Sequence, residues 1–376
     1  MNRREIIKLG LYGAGACWAN MIVTQGHASQ DRFRLLAADS NGVCLPAGFS
    51  SRIVAESSIS PVGGCEYVWH AAPDGGACFT DNAGGWIYVS NSELDNKEGG
   101  VGALRFNAHG KLIDAYPVLQ GTSRNCSGGA TPWGSWLSCE EVDHGRVWEC
   151  DPRGVKAAVV RPAMGVFSHE AVAVDSLNRK LYLTEDHKEG CFYRYTPYNY
   201  PDLSAGKLEA ARVIDGETGR VEWLEIGDPS ASEAATREQT KATRFKGGEG
   251  IAYFNGKVYF TTKYDNRVWV FDVASQNLSI LYDDSAYLDP VLTGVDNIIV
   301  AADGSLYVAE DGGDLQVVVI ATDGSIYPVL ELEGHDKSEI AGIAFSPDGK
   351  RLYFSSQRGK NGDARAGITF EVSGPF

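Results

Sequence analysis

Apolar and polar positions alternate along this chain in short runs, and one run recurs. It is an apolar strand that enters on tyrosine or tryptophan and leaves on polar residues, at 86–93, 135–141, 181–186, 258–263, 306–311 and 352–357. The key aromatics, Tyr88, Trp136, Tyr182, Tyr259, Tyr307 and Tyr353, are separated by 48, 46, 77, 48 and 46 residues. A period in the high forties, made of short strands and glycine turns, predicts a β-propeller with four strands per blade. The copies therefore predict an all-β, six-bladed propeller. Asp303-Gly304 and Asp348-Gly349 lie between apolar runs just ahead of an aromatic strand, the position of a tight hairpin turn.

The one long interval carries an insertion at about 196–246. In repeat folds such additions lie on one face, and a loop with a short helix capping the channel is expected here. Residues 29–376 read as a single propeller domain.

Composition changes the picture at the N-terminus. Residues 1–28 carry Arg3-Arg4, an apolar run through Val23 and a small-residue site at Gly26-His27-Ala28, the pattern of a twin-arginine signal peptide. The apolar run is too short and too interrupted by glycine to span a membrane. Gly13-Ala14-Gly15 lacks the strand, helix and acidic partner of a nucleotide loop, and Cys17 lacks a lipobox. The expected partner is the twin-arginine export machinery, with no stable membrane anchor, and the expected location is periplasmic or secreted. The whole chain carries a formal charge of −15, and most of the leader's charge is positive. An acidic surface of this kind repels nucleic acid and anionic membranes and suits cations.

Seven cysteines remain beyond the leader, Cys44, Cys65, Cys78, Cys126, Cys139, Cys150 and Cys191. In an exported protein six of them could pair and one would stay free, with Cys126 the candidate. There is no C-x-x-C and no His-Glu-x-x-His, so nothing points to zinc.

The chemistry lies ahead of the aromatic strands. Glu170 stands 12 residues before Tyr182, Glu249 stands 10 before Tyr259, Asp296 stands 11 before Tyr307, and Cys126 stands 10 before Trp136. The innermost strand of each blade lines the channel, so residues at the same end of those strands converge at one mouth. Three carboxylates and a thiol gathered there repel one another unless cations neutralise them. A metal cluster at the channel mouth is the economical reading. Glu93, Glu140, Glu141, Asn297, Glu310, Asp311 and Glu339 neighbour the same strands and could supply further oxygens. Hard oxygen ligands suit calcium or magnesium, and one thiolate among them suits a transition metal, iron in particular. The plainer reading of each acid alone is a turn cap or a partner for arginine. His169, next to Glu170, faces the opposite side of a strand and reads as a core or supporting residue; Trp133 and Trp136 read as packing. Lys263, Arg267, Arg358 and Lys360 at strand exits could hold an anion, although each alone reads as a solvated surface charge.

Six motifs carry a resemblance. They are Asn-Cys-Ser-Gly-Gly-Ala-Thr-Pro-Trp-Gly-Ser-Trp-Leu-Ser-Cys-Glu-Glu at 125–141, Ser-His-Glu-Ala-Val-Ala-Val-Asp at 168–175, Leu-Tyr-Leu-Thr-Glu-Asp at 181–186, Gly-Glu-Gly at 248–250, Val-Asp-Asn-Ile at 295–298 and Ala-Glu-Asp-Gly at 309–312. With them the chain resembles the alkaline phosphatase PhoX family of exported bacterial proteins, over nearly all of the sequence past the leader. The resemblance implies a six-bladed propeller holding a mixed iron and calcium cluster, with phosphomonoesters as substrates. It implies that Cys126 is the iron-binding cysteine and that Glu170, Glu249 and Asp296 are cluster carboxylates. Glu140, Asn297 and Glu310 fall on the family's motifs, and catalysis is expected at Cys126, Glu170, Glu249 and Asp296. Two positions depart from the family pattern. Asn91-Ser92-Glu93 lacks the family's histidine, and Gly247-Gly248 stands where Arg-Pro is usual, so a phosphate-binding arginine is missing. The expected function is an exported, metal-dependent phosphomonoesterase. A lactonase or phosphotriesterase-like hydrolase using a single calcium, and a non-catalytic metal-binding propeller, are the alternatives.

Overall fold

The computed structural model describes residues 33–214 and 216–376; the twin-arginine pattern at 1–28 lies outside them. The described residues form strands, turns and short 3-10 segments, without an α-helix, and no helix among them is long and apolar enough to cross a membrane.

The strands form antiparallel sheets in chain order, because each hairpin turn returns the chain beside the strand it has just left. One sheet runs Pro73–Thr80, Trp86–Ser92, Gly99–Phe106, Leu112–Thr122, and the next Asn125–Ala130, Trp136–Glu140, Val147–Cys150, Val159–Val160. Another runs Val295–Val300, Leu306–Glu310, Gln316–Ile320, Ile326–Leu332, with Val43–Cys44 added at its outer edge. The last runs Ile340–Phe345, Arg351–Ser356, Ile368–Ser373, and takes Ser50–Glu56 from the other end of the chain as its outer strand. This pairing ties the two ends together.

The remaining nine strands form one sheet. It leads from His169–Asp175 out through Lys180–Glu185, Phe192–Asn199, Asp202–Val213 and Gly219–Glu225, then back through Asn277–Asp283, Arg267–Asp272 and Lys257–Thr262 to Gly248–Phe254. The join between its halves is narrow, with Gly219 opposite Leu278 and Arg220 opposite Asn277. The stretch 196–246, expected as a loop and a short helix, contains the strands Asp202–Val213 and Gly219–Glu225 and a single 3-10 turn, Thr236–Gln239. Trp223 explains why this stretch adds to the sheets: its ring packs against Phe192 at 5.5 Å and Phe271 at 5.6 Å, one from each half.

The innermost strands, Pro73–Thr80, Asn125–Ala130, His169–Asp175, Gly248–Phe254, Val295–Val300 and Ile340–Phe345, each touch the next, and the last touches the first. They form the closed wall of a central channel, so the architecture is all-β and propeller-like. Apolar clusters fill the space between neighbouring sheets. Tyr88 stacks on Tyr353 across one such gap at 5.0 Å, and Phe192 on Phe260 between the two halves of the nine-stranded sheet at 4.7 Å. Burying one such ring contributes roughly 3 kcal/mol. Five of the six repeating aromatics are buried for this reason, and Tyr259 only partly. The cysteines depart from expectation: all seven are free thiols, with Cys139, Cys150 and Cys191 packed in the interior.

Candidate metal centre

One local irregularity places the functional side chains. Each inner strand contains a bulge against its neighbour, between Pro73 and Gly76, Asn125 and Gly128, His169 and Val172, Gly248 and Ile251, Val295 and Ile298, and Ala341 and Ala344. A bulge inserts one extra residue and re-aims a side chain. The first bulged residues are Asp74, Cys126, Glu170, Glu249, Asp296 and Gly342. Five carry ligand chemistry, and four of those were legible from spacing. Asp74 was missed because it stands 14 residues before Tyr88, outside the spacing of the others; the Asp-Gly-Gly step at 74–76 was the available signal. At Gly342 a Cβ would lie 2.5 Å from the Asp74 carbonyl oxygen, so the sixth position has no room for a side chain. The second bulged residue is equally confined at Gly75, whose Cβ would meet Ser127 Cα at 2.4 Å, and at Gly250, whose Cβ would meet Ile298 N at 2.5 Å.

A second tier sits just above. In every unit one backbone N–H donates to the carbonyl that precedes the inner strand: Glu93 to Ala72, Glu141 to Arg124, Asp186 to Ser168, Lys263 to Gly247, Asp311 to Gly294 and Gln357 to Glu339, at 2.8–3.2 Å. The first five of these line the same pocket of about 150 Å³ as Cys126, Glu170, Glu249 and Asp296. Strand alternation separates them from their chain neighbours. Glu140 and Glu310, expected among the ligands, point into the sheets. Glu140 accepts from Ser123 N at 3.1 Å and Trp148 Nε1 at 3.0 Å, and Glu310 from Thr293 N at 2.6 Å and Gln316 N at 3.0 Å. Glu141 and Asp311, one residue further on, face the pocket. Asn297 acts through others: its Nδ2 donates to Asp296 Oδ1 at 3.0 Å, and its Oδ1 accepts from Gly342 N at 3.0 Å.

The pocket holds eight carboxylates and one thiol against three cations, Arg124, Lys263 and Arg358. Arg124 pairs with Glu93 and Glu141, both at 2.8 Å, and Arg358 with Glu339 at 2.8 Å. Burial, then the neighbouring acids, pushes Asp296 up to about 7 and Glu141 to about 8. Burial followed by the charges of Glu249, Asp296, Glu141 and Asp74 raises Glu170 well above the carboxylate range, and burial also raises Cys126. Three sets of donor atoms each lie within 4.8 Å of one another: Cys126 with Glu141 and Glu170, Asp74 with Glu93 and Glu339, and Glu170 with Glu249 and Asp296. Glu170, fully buried, leaves Oε2 without a partner. An orphaned buried carboxylate oxygen among a surplus of acids fits a cation and is costly without one.

Two of the remaining candidates, His169 and Trp136, fall where expected, whereas Lys263 and Arg267, read singly as solvated surface charges, are ion-paired with Asp186 and Glu249 and with Asp283. His169 is buried against Phe167 with Nε2 3.0 Å from the Gly165 carbonyl oxygen, and Trp136 donates from Nε1 to Asn91 Oδ1 at 2.9 Å. Gly247, at φ +73°, has the Tyr264 ring 2.6 Å from where its Cβ would stand, so a larger residue there would displace that ring.

A closed ring of bulged inner strands that converge acids and one thiol at a channel mouth defines a propeller-like protein with a candidate metal-dependent active centre. Within that class, residues 81–359 match the model of the family "Alkaline phosphatase PhoX". The chain belongs to this family, and phosphatase is the enzyme class that membership gives it. Among solved structures it is similar to Pseudomonas fluorescens PhoX in complex with vanadate, a transition state analogue, at 16% identity and TM-score 0.75, covering 91% of this chain and 98% of that one. It is also similar in fold to a gluconolactonase from Xanthomonas campestris, at 12% identity and TM-score 0.55, covering 91% of this chain and 97% of that one. A Bacteroides thetaiotaomicron protein of unknown function follows at 10% identity and TM-score 0.54, covering 86% of this chain and 76% of that one. No curated protein matches by sequence.

Proposed function

We propose that the chain is an exported, metal-dependent phosphomonoesterase whose cluster combines iron and calcium on a six-bladed propeller. In this reading the nine-stranded sheet is two blades stapled by the strand Gly219–Glu225, and the leader at 1–28 directs twin-arginine export to the periplasm or beyond. The observation that supports it best is the bulge register, which aims Cys126, Glu170, Glu249 and Asp296 into one acidic pocket and sets Asp74 within 4.8 Å of Glu93 and Glu339 at its wall. Cys126 with Glu141 and Glu170 would hold iron, the softest donor set of the three. Asp74 with Glu93 and Glu339, and Glu170 with Glu249 and Asp296, are all-oxygen sets suited to calcium. When bound, such ions supply concentrated positive charge that polarises a phosphoryl group toward hydrolytic attack.

The chain's own residues do the rest. Asn297 orients Asp296 through its amide, and the closely packed bulges fix the carboxylates so that little reorganisation is needed at the moment of reaction. Arg124 and Arg358 reach the pocket from partly exposed positions, with side chains 42% and 36% accessible, and can turn guanidinium donors toward a phosphate ester. Elemental analysis of protein exported by its own leader, joined to a panel of phosphomono-, di- and triesters and lactones, tests this. Iron and calcium together with monoester turnover are expected. One calcium, no iron and lactone or triester turnover would replace the reading, and bound metal without turnover of any of them would leave a binding propeller.

A further inference from the structure

Lys263 is the only cation in the second tier of the centre. The equivalent positions in the other units are Glu93, Glu141, Asp186, Asp311 and Gln357, each fixed by the same backbone hydrogen bond. The Lys263 backbone is anchored to Gly247, and its Nζ reaches Asp186 Oδ2 at 2.9 Å and Glu249 Oε1 at 2.6 Å. Asp186, whose side chain is 9% accessible, belongs to none of the three donor sets that cluster within 4.8 Å, although it lines the same pocket. The sector between Asp186 and Glu249 is already filled, by an ammonium.

We infer that Lys263 is a built-in cation of the centre, occupying between Asp186 and Glu249 a position that the ring of acids would otherwise offer to a divalent metal ion. A tethered cation cannot dissociate, so it offsets one of these two negative charges before any metal arrives. It also limits how many ions this chain's cluster takes. The inference rests on the metal centre proposed above.

The test is metal stoichiometry of the full-length exported protein, wild type and three variants, by inductively coupled plasma mass spectrometry. Lys263→Glu, which restores an acid to the ring, is expected to carry one more divalent ion per chain than wild type. Lys263→Met should show a larger calcium-induced rise in melting temperature than wild type after chelation, because Asp186 and Glu249 are then free. Lys263→Arg, which keeps the charge, should match wild type. An unchanged ion count in a folded Lys263→Glu protein overturns the inference, and if that variant does not fold, an equal calcium response in Lys263→Met overturns it. Wild type without metal would remove the proposed centre and this inference together; wild type with metal and unchanged variants would remove this inference alone.

Discussion

Asp296 gives the sharpest prediction, because one substitution should act with opposite sign in the metal-free and the metal-loaded protein. Its carboxyl is raised from 3.8 to about 7 by burial, then by Asp311, against the opposing pull of Lys263. The folded state therefore holds this proton more tightly than the unfolded chain. Below pH 4 both states are protonated and the residue costs nothing. Between pH 4 and 7 the cost grows, and above 7 it is complete. A difference of about three pH units at roughly 1.4 kcal/mol each amounts to about 4 kcal/mol. Asp296→Asn keeps the shape, and at pH 8 it should stabilise the chelated protein by up to about that amount, raising its melting temperature by several degrees. Below pH 4 it should change nothing. In the metal-loaded protein the same variant loses a charged ligand and should lower metal content, melting temperature and activity. Calorimetry at pH 3.5, 6 and 8, with and without chelator, reads all of this. Equal pH slopes for chelated wild type and variant, or a metal-loaded variant more stable than wild type, would refute the reasoning.

Cys126→Ser should lower iron content and phosphatase turnover together, and full iron occupancy in that variant would remove the thiol from the ligand set. Glu310→Gln should cost about 1–3 kcal/mol by weakening the acceptor for the Thr293 and Gln316 N–H groups, with an unchanged metal count, read by denaturation and elemental analysis. Gly75→Ala should destabilise by about 1–3 kcal/mol and reduce metal content, since the new methyl would press on Ser127 beside Cys126. Arg358→Met should raise KM for a phosphomonoester about tenfold, the loss of one charge-assisted contact, with metal content unchanged; an unaltered KM would take Arg358 out of substrate binding.

How much of the centre was legible follows from what fixes each position. Cys126, Glu170, Glu249 and Asp296 could be found by counting, because the turn between an inner strand and its partner varies little in those four units. Asp74 escaped because its unit is longer between the bulge and the aromatic. Glu140 and Glu310 were placed among the ligands because they fall on the family's motifs, which do not record the face a residue takes. Strand alternation turns both into their sheets and presents the next residues, Glu141 and Asp311, to the pocket instead.

The sequence by itself determined the repeating strand unit, the buried aromatic of most units, an acidic chain suited to cations, and the family. These are local or periodic properties, set by side-chain alternation and turn chemistry within one hairpin. Tertiary structure alone decided the rest: the free thiols, the strands at 202–225 that knit two halves into one sheet, the closed ring, and the second tier in which Lys263 stands among acids. Each depends on groups from distant parts of the chain meeting at a channel mouth, and distance along the sequence does not record which face of a bulged strand will be turned inward.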